Sequence, residues 1–512
     1  MFRNDKRKRI LLLLLLTALL IFFIASEALF GTAVLPDGLV MTADGMEPMV
    51  CFETPLAQPG EMLQVEAYGY MVGETLTYRW RTDSRELETQ ESWYIPEEAD
   101  LEQFIEVTVS SEYHGEQTAR VYCSRLPVVY IDVENNEAID SREEYKKAEV
   151  TIQGAGDSAD YYYEGTAEIR GRGNTSWEEE KKPYKLKLYD REGLLGMDSS
   201  RSWILLANYV DSSLMRNKLM FDLALEMDMP APESCWVSLI VNGVYAGNYQ
   251  LCEQIDLGTV IDQREGILLE LDEYYDEEVQ FRSSMDQPIM IQEPEDSVEA
   301  SAQLDMIEVF INAFETAIRS SDYTAEYDDC IVHYSELFDM DALAKYWVLY
   351  EVFHNCDFMR KSTYIYIDPS GMAYMGPPWD NDWSSGIPPS EYWDRWSVLW
   401  FDAEAQADNW YRYLIRDPDF RERAREIYWE YRDQMEEMVM EGGVIDRNYW
   451  LLYESALSND RLWKYGDGYE ADVTLLRNWL SSRLKWLDQQ FATEESLEAS
   501  LSVEYESGSS SS

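Results

Sequence analysis

The chain has 512 residues, 46% of them apolar and 13% aromatic, enough to pack a large domain and a smaller one, which excludes a chain disordered throughout. Its 98 acidic and 42 basic side chains give a formal net charge of -56 at pH 7. Such a surface repels nucleic acid and anionic lipid, so no nucleic-acid partner is expected, and it attracts basic polypeptides and metal ions.

Arg3, Lys6, Arg7, Lys8 and Arg9 precede an apolar run from Ile10 to Ile24 broken only by Thr17, and weaker apolar character continues to Leu35. A positive flank first keeps the tail in the cytoplasm and exports the rest of the chain. We expect residues 1–35 to form a basic tail and an uncleaved transmembrane signal anchor, with the ectodomain outside the cytoplasm. Ser26-Glu27-Ala28 has the small-x-small form of a cleavage site, and cleavage there would make the protein secreted.

Residues 36–125 read as all-β. Gly60 to Tyr68, Leu76 to Arg81 and Phe104 to Val109 alternate in polarity, and Gln117 to Cys123 makes a last strand. Ser92-Trp93-Tyr94-Ile95-Pro96 followed by Ala99-Asp100, with Trp80 as a core tryptophan, resembles an immunoglobulin-like sandwich. We expect it to act as a spacer, since it carries no visible binding patch. Cys51 and Cys123 sit at the two ends of this stretch and are candidates for a disulfide; the other four cysteines are scattered without CxxC spacing, which argues against zinc.

From residue 127 the pattern is mixed. Strands are expected at Val128 to Val133, Ala148 to Gln153, Ala167 to Gly171, Tyr184 to Tyr189 and Trp203 to Ala207, then a helix at Ser213 to Met227. Val237 to Val241 and Tyr245 to Cys252, joined through Asn242-Gly243, make a hairpin with the strongest turn signal in the chain. Helices are expected next at Ala302 to Arg319, Met340 to Asn355, from Glu391 onward including Tyr411 to Met440, and near Leu475 to Phe491. A β-rich lobe thus precedes an α-rich one, and residues 496–512 read as a disordered tail.

The stretch from Asp357 to Gly386 carries the chemistry. Tyr364 to Ile367 alternates as a strand, Pro369-Ser370-Gly371 is turn chemistry and Ala373-Tyr374-Met375 starts a return strand. Such a hairpin brings Asp357 near the acidic pair of Trp379-Asp380-Asn381-Asp382. A phosphoryl-transfer site needs one carboxylate to orient the attacking hydroxyl and another to hold Mg2+ on nucleotide phosphates.

Five segments, in order, carry a resemblance: Ala167 to Trp177 with Gly171-Arg172-Gly173, Lys181 to Leu188, Trp203 to Tyr209 with Asp211 and Arg216-Asn217, Val241 to Tyr249 with Glu253, and Trp379 to Asp382. Together they resemble the spore-coat protein H (CotH) kinase family over roughly residues 127–490. The resemblance implies an α+β, atypical kinase-like two-lobed domain, here over 127–495, that transfers the γ-phosphate of ATP to Ser or Thr of secreted, coat or cell-surface proteins. Asp357 takes the place of the catalytic base and Asp380 that of the metal ligand, with Asp382 a second ligand for Mg2+ or Mn2+. The Gly171-Arg172-Gly173 turn lets backbone N–H groups approach phosphates or is a plain turn. Lys185 or Lys187 pairs with the phosphates or is a surface lysine, and Arg216 and Glu253 line the nucleotide pocket or form a structural ion pair.

The chain departs from ordinary protein kinases. It has neither G-x-G-x-x-G-x-V nor H-R-D-L-x-x-x-N; His354 lies three residues before Asp357, and Ser362 stands where the second metal-binding asparagine is expected. A basic, Ser/Thr-rich protein is the expected substrate. Alternatives are a non-catalytic cell-surface adhesion or scaffold protein on the same fold, and an adenylylating enzyme.

Overall fold

The computed structural model describes residues 48–71, 73–262, 264–387, 397, 399 and 409–500. The expected signal anchor lies outside the described residues, as does most of the stretch from Glu391 expected to open a helix. Among the described residues no helix is long and apolar enough to cross a membrane. Of the tail expected from 496 onward, the described part belongs to a helix, Glu494–Ser500.

Strands β1 (Met49–Phe52), β2 (Leu56–Ala57), β3 (Leu63–Tyr68), β4 (Thr77–Thr82), β5 (Glu86–Leu87), β6 (Trp93–Tyr94), β7 (Gln103–Ser111) and β8 (Gly115–Cys123) form a three-stranded sheet, ordered β1-β3-β6, and a five-stranded one, ordered β2-β8-β7-β4-β5. Trp80 is fully buried on β4, between the rings of Phe52 and Tyr94, and its Nε1 donates to the Glu91 carbonyl at 2.9 Å. Cys51 and Cys123 are both free. They stand on different sheets: Cys51 Sγ lies 4.0 Å from Glu66 Oε2 on the adjacent strand, and Cys123 is buried at the end of β8. The described residues divide into two compact units, one taking 48–53, Met62–Tyr94 and Ile105–Arg120, the other Thr54–Glu61, Ile95–Phe104 and the described residues from Val121.

In the larger unit, β9 (Val128–Val133), β10 (Lys146–Gln153), β11 (Tyr162–Gly171), β12 (Tyr184–Gly193), β13 (Ser199–Leu206), β14 (Ser234–Val241) and β15 (Val244–Glu253) close into a barrel ordered β10-β11-β12-β13-β15-β14-β9. Alternate residues point inward, among them Ile131, Ile169, Leu186, Leu188, Trp203, Leu205, Leu239 and Leu251, as the period of two requires. Closure rests on one parallel pairing, Ser238–Val241 of β14 against Val128–Ile131 of β9. This arrangement corrects the expected fold of membrane helix, immunoglobulin-like sandwich and two-lobed kinase-like domain: the architecture is mixed α+β, built on a closed seven-stranded barrel and open sheets. Alternation predicts strands but does not say which edges meet, and here the first and penultimate strands meet.

A second sheet, ordered β17-β18-β16-β21-β22, is built from β16 (Ile267–Leu271), β17 (Gln280–Arg282) and β18 (Pro288–Glu293) together with β21 (Thr363–Ile367) and β22 (Ala373–Met375). A small hairpin, β19 (Thr324–Tyr327) and β20 (Cys330–His333), falls between. Helices Ser297–Arg319, Met340–Phe353, Pro418–Glu430 and Tyr469–Gln490 supply much of the main core, with Phe314, Trp347, Trp410 and Phe420 at its centre. Each begins where the sequence caps it or starts a turn; Asp339 Oδ1, for example, accepts the Ala342 N–H at 2.8 Å ahead of Met340–Phe353.

Candidate active site

Helix Met340–Phe353 ends because His354 adopts a left-handed conformation, φ 52°, which redirects the chain into Asn355-Cys356-Asp357. The β21–β22 hairpin then returns the chain to Asp380, itself left-handed at φ 58°. An aspartate tolerates that region better than most residues. Asp357, Asp380 and Asp382 all line one cleft of about 1090 Å3. Asn355 links them: its Oδ1 accepts the Asp357 N–H at 2.8 Å, and its Nδ2 donates to the Asp380 carbonyl at 2.8 Å. Lys361 Nζ lies 3.6 Å from Asp357 Oδ1 and sits over the Tyr274 ring.

Burial pushes the Asp380 carboxyl up to about 6, Asp357 pushes the same way, and Arg172 opposes them. Asp382 is held well above the usual carboxylate range by burial, then by Asp380 and Asp357. Crowded carboxylates of this kind are relieved by a cation. Among the described residues no group of three or more His, Cys, Asp or Glu side chains is arranged to hold a metal ion. Mg2+ does not need one, since it is commonly held by one or two carboxylates and completed by water and substrate phosphate oxygens. The hard oxygen donors of Asp380 and Asp382 fit that role.

Positive charge comes from the barrel. Register sets Lys185 of β12 beside Arg170 of β11 and Ile204 of β13, on the outer face, while Leu186 and Leu188 point into the barrel. Lys185, Arg170, Arg172 and Gly173 line the cleft. Burial, then Arg170, lowers the Lys185 ammonium to about 8. Arg172 lies over the Trp379 ring at 5.2 Å, beside Asp380 in sequence. The glycines of the turn serve packing: a Cβ at Gly171 would stand 2.2 Å from Trp177, and Gly173 has φ 83°. The N–H groups of Gly171 and Arg172 already donate to the Ser141 and Pro183 carbonyls, so the Arg172 side chain is the more available group for phosphate.

Gly171, Lys187, Arg216 and Glu253 do not line the cleft. Lys187 stands over Tyr145, and buried Glu253 accepts the Glu233 N–H at 3.1 Å. Arg216 is wholly buried between Asp211 and Asp472, with Nη2 donating to Asp472 Oδ1 at 3.0 Å and Nε to the Ser384 carbonyl at 3.1 Å. It therefore clamps the segment just after Asp382 to the helices.

Several cleft residues were not singled out from the sequence as site residues: Glu270, Asp272 and Lys361, and also Asn208 and Asn217, which lie within the family segments. Burial, then Asp272, pushes Glu270 up to about 8, and Gln292 Nε2 donates to its Oε2 at 2.7 Å. The signal was there: Ile267-Leu268-Leu269-Glu270-Leu271 is an apolar strand with one acid inside it, and a buried acid needs a reason.

The cleft thus gathers Asp357, Asp380 and Asp382, among other carboxylates, with the cations Lys185 and Arg172, and its walls come from the β-barrel and the second sheet. Residues 169–487, more than half of the sequence, match the protein-family model described as CotH kinase protein, and the chain belongs to the CotH kinase family. No curated protein matches it.

Proposed function

We propose that this protein is an atypical, ATP-dependent kinase that transfers the γ-phosphate to Ser or Thr hydroxyls of coat, secreted or cell-surface proteins outside the cytoplasm. The observation that most supports this is that Asp357, Asp380, Asp382, Lys185 and Arg172 share one cleft in a CotH family chain. Lys185 and Arg172 would bind the nucleotide phosphates. Asp380 and Asp382 would hold Mg2+ or Mn2+, which supplies neutralisation of charge on the phosphates during transfer. Asp357 would orient the acceptor hydroxyl and take its proton as the hydroxyl oxygen bonds to the γ-phosphorus and the bond from that phosphorus to the β–γ bridging oxygen breaks, releasing ADP. Incubating the protein and a basic, Ser/Thr-rich acceptor with γ-labelled and, separately, α-labelled ATP tests this. Label from the γ position alone is expected; label from the α position would mean adenylylation, and none from either a scaffold.

The electrostatics of Lys185 give a further expectation. Its ammonium is lowered to about 8, so it is charged below that pH and neutral above it. ATP affinity, measured calorimetrically without metal between about pH 7 and about pH 9.5, should be full at the lower end and fall as pH rises through about 8. Lys185→Met should lose about 10- to 100-fold in affinity and the pH dependence with it, as expected for a charge-assisted hydrogen bond. Lys185→Arg should hold its affinity to higher pH. A native affinity that stays flat across this range would remove Lys185 from the phosphate site.

A further inference from the structure

Asn355 is 1% exposed and touches both halves of the site through its amide. One side of the amide must accept, since it meets the Asp357 N–H at 2.8 Å. The other must donate, since it meets the Asp380 carbonyl at 2.8 Å and Asn381 Oδ1 at 3.3 Å. Neither an ionised aspartate nor an aliphatic side chain of the same size can do both. The far side of the Asp380 turn is held separately: the Asn381 N–H donates to Asn217 Oδ1 at 2.6 Å, and Asn381 Nδ2 donates to the Arg216 carbonyl at 2.9 Å. The Asp380 turn is thus held in its left-handed conformation by the side-chain amides of Asn355, Asn217 and Asn381, of which only Asn355 also reaches Asp357. A sparsely populated backbone conformation persists where its surroundings over-determine it.

We propose that Asn355 is a positioning residue that sets the separation between Asp357 and Asp380, and that Asn217 positions Asp380 alone. This rests on the reading of Asp357 as the base and Asp380 as the metal ligand. The two asparagines then have separable effects. Loosening Asp380 weakens metal binding, a loss that more metal restores. Loosening Asp357 relative to Asp380 misaligns the acceptor hydroxyl with the phosphate, a loss that metal cannot restore.

The test compares Asn355→Ala, Asn355→Asp and Asn217→Ala in the full chain. Three quantities are measured: the melting temperature by circular dichroism, Mn2+ binding by calorimetry without nucleotide, and acceptor phosphorylation at increasing Mg2+. All three variants should bind Mn2+ more weakly while still folded. At saturating Mg2+ the Asn355 variants should keep a deficit in kcat of about 10- to 100-fold with KM for ATP little changed, as small misplacements of reacting groups cost. Asn217→Ala should recover most of its rate. The proposal is overturned if excess Mg2+ restores the Asn355 variants as fully as Asn217→Ala. It is equally overturned if their losses track the unfolded fraction with Mn2+ binding unmoved. Activity surviving in Asp357→Asn or Asp380→Asn would instead overturn the underlying reading.

Discussion

Asp380→Asn should abolish phosphate transfer, by about 10³-fold or more, because the metal charge that this carboxylate would hold is the main stabiliser of the transition state. Asparagine is the better probe than alanine here. At φ 58° an alanine adds backbone strain of about 1–2 kcal/mol, whereas asparagine accepts the left-handed region and fills the same volume. The substitution also has a stability signature of definite sign. The native carboxyl is raised to about 6 by burial and by Asp357, above its value in an unfolded chain. Its contribution to stability is therefore full below the unfolded value and is lost as pH rises through about 6. Asp380→Asn escapes that loss, so it should melt higher than the native protein above about pH 6 and show no such advantage near about pH 4. A variant that is dead, folded and more stable at neutral pH identifies a functional carboxylate. Undiminished transfer would sink the assignment of Asp380.

Asp357→Asn should separate binding from chemistry. A carboxylate that orients the acceptor and takes its proton acts on the hydroxyl and not on ATP, so the loss should fall on kcat by about 10²- to 10⁴-fold. ATP affinity should stay near its native value, since the phosphate contacts proposed for Lys185 and Arg172 would be untouched. Lys361 would lose its partner 3.6 Å away, but that pair is partly exposed and of modest weight. Equal loss of ATP binding and of rate would make Asp357 a metal or structural residue instead.

Much of the fold was legible where the pattern was local. Strand β9 spans Val128–Val133 as its alternation predicts, and the β14–β15 hairpin turns at Asn242-Gly243, both with positive φ. Helix Met340–Phe353 starts where expected and stops at His354, because a left-handed residue ends it whatever the apolar period says. Barrel closure was not legible, because the partner of β9 lies more than a hundred residues away in β14 and the pairing is parallel. The strands β16 to β18 were missed: β17 has only three residues, and the neighbours β21 and β22 come from a distant part of the chain. At the site, residue type and order pointed to Asp357, Asp380 and Asp382, while Arg216 and Glu253 shared the same motifs yet lie outside the cleft. Motif membership marks a residue as constrained without distinguishing a buried clamp from a ligand contact. Asn355 was invisible for a different reason: an amide that bridges two backbone groups has no signature of spacing, and Asn217, though inside a family segment, shows no role until its contact with the Asn381 N–H is seen.

The seven-stranded barrel has no first or last strand in space, so every ladder of backbone N–H and C=O groups within it has a neighbour. An extended peptide cannot dock on it by adding a strand. In the second sheet the outer positions belong to β17 and β22, three residues each, and such short edges offer few backbone groups to an incoming chain. At these two sheets the protein acceptor proposed above would be recognised through side chains and charge more than through main-chain pairing. That favours acceptors read by composition, tolerant of changes in register, over acceptors read by a fixed extended sequence.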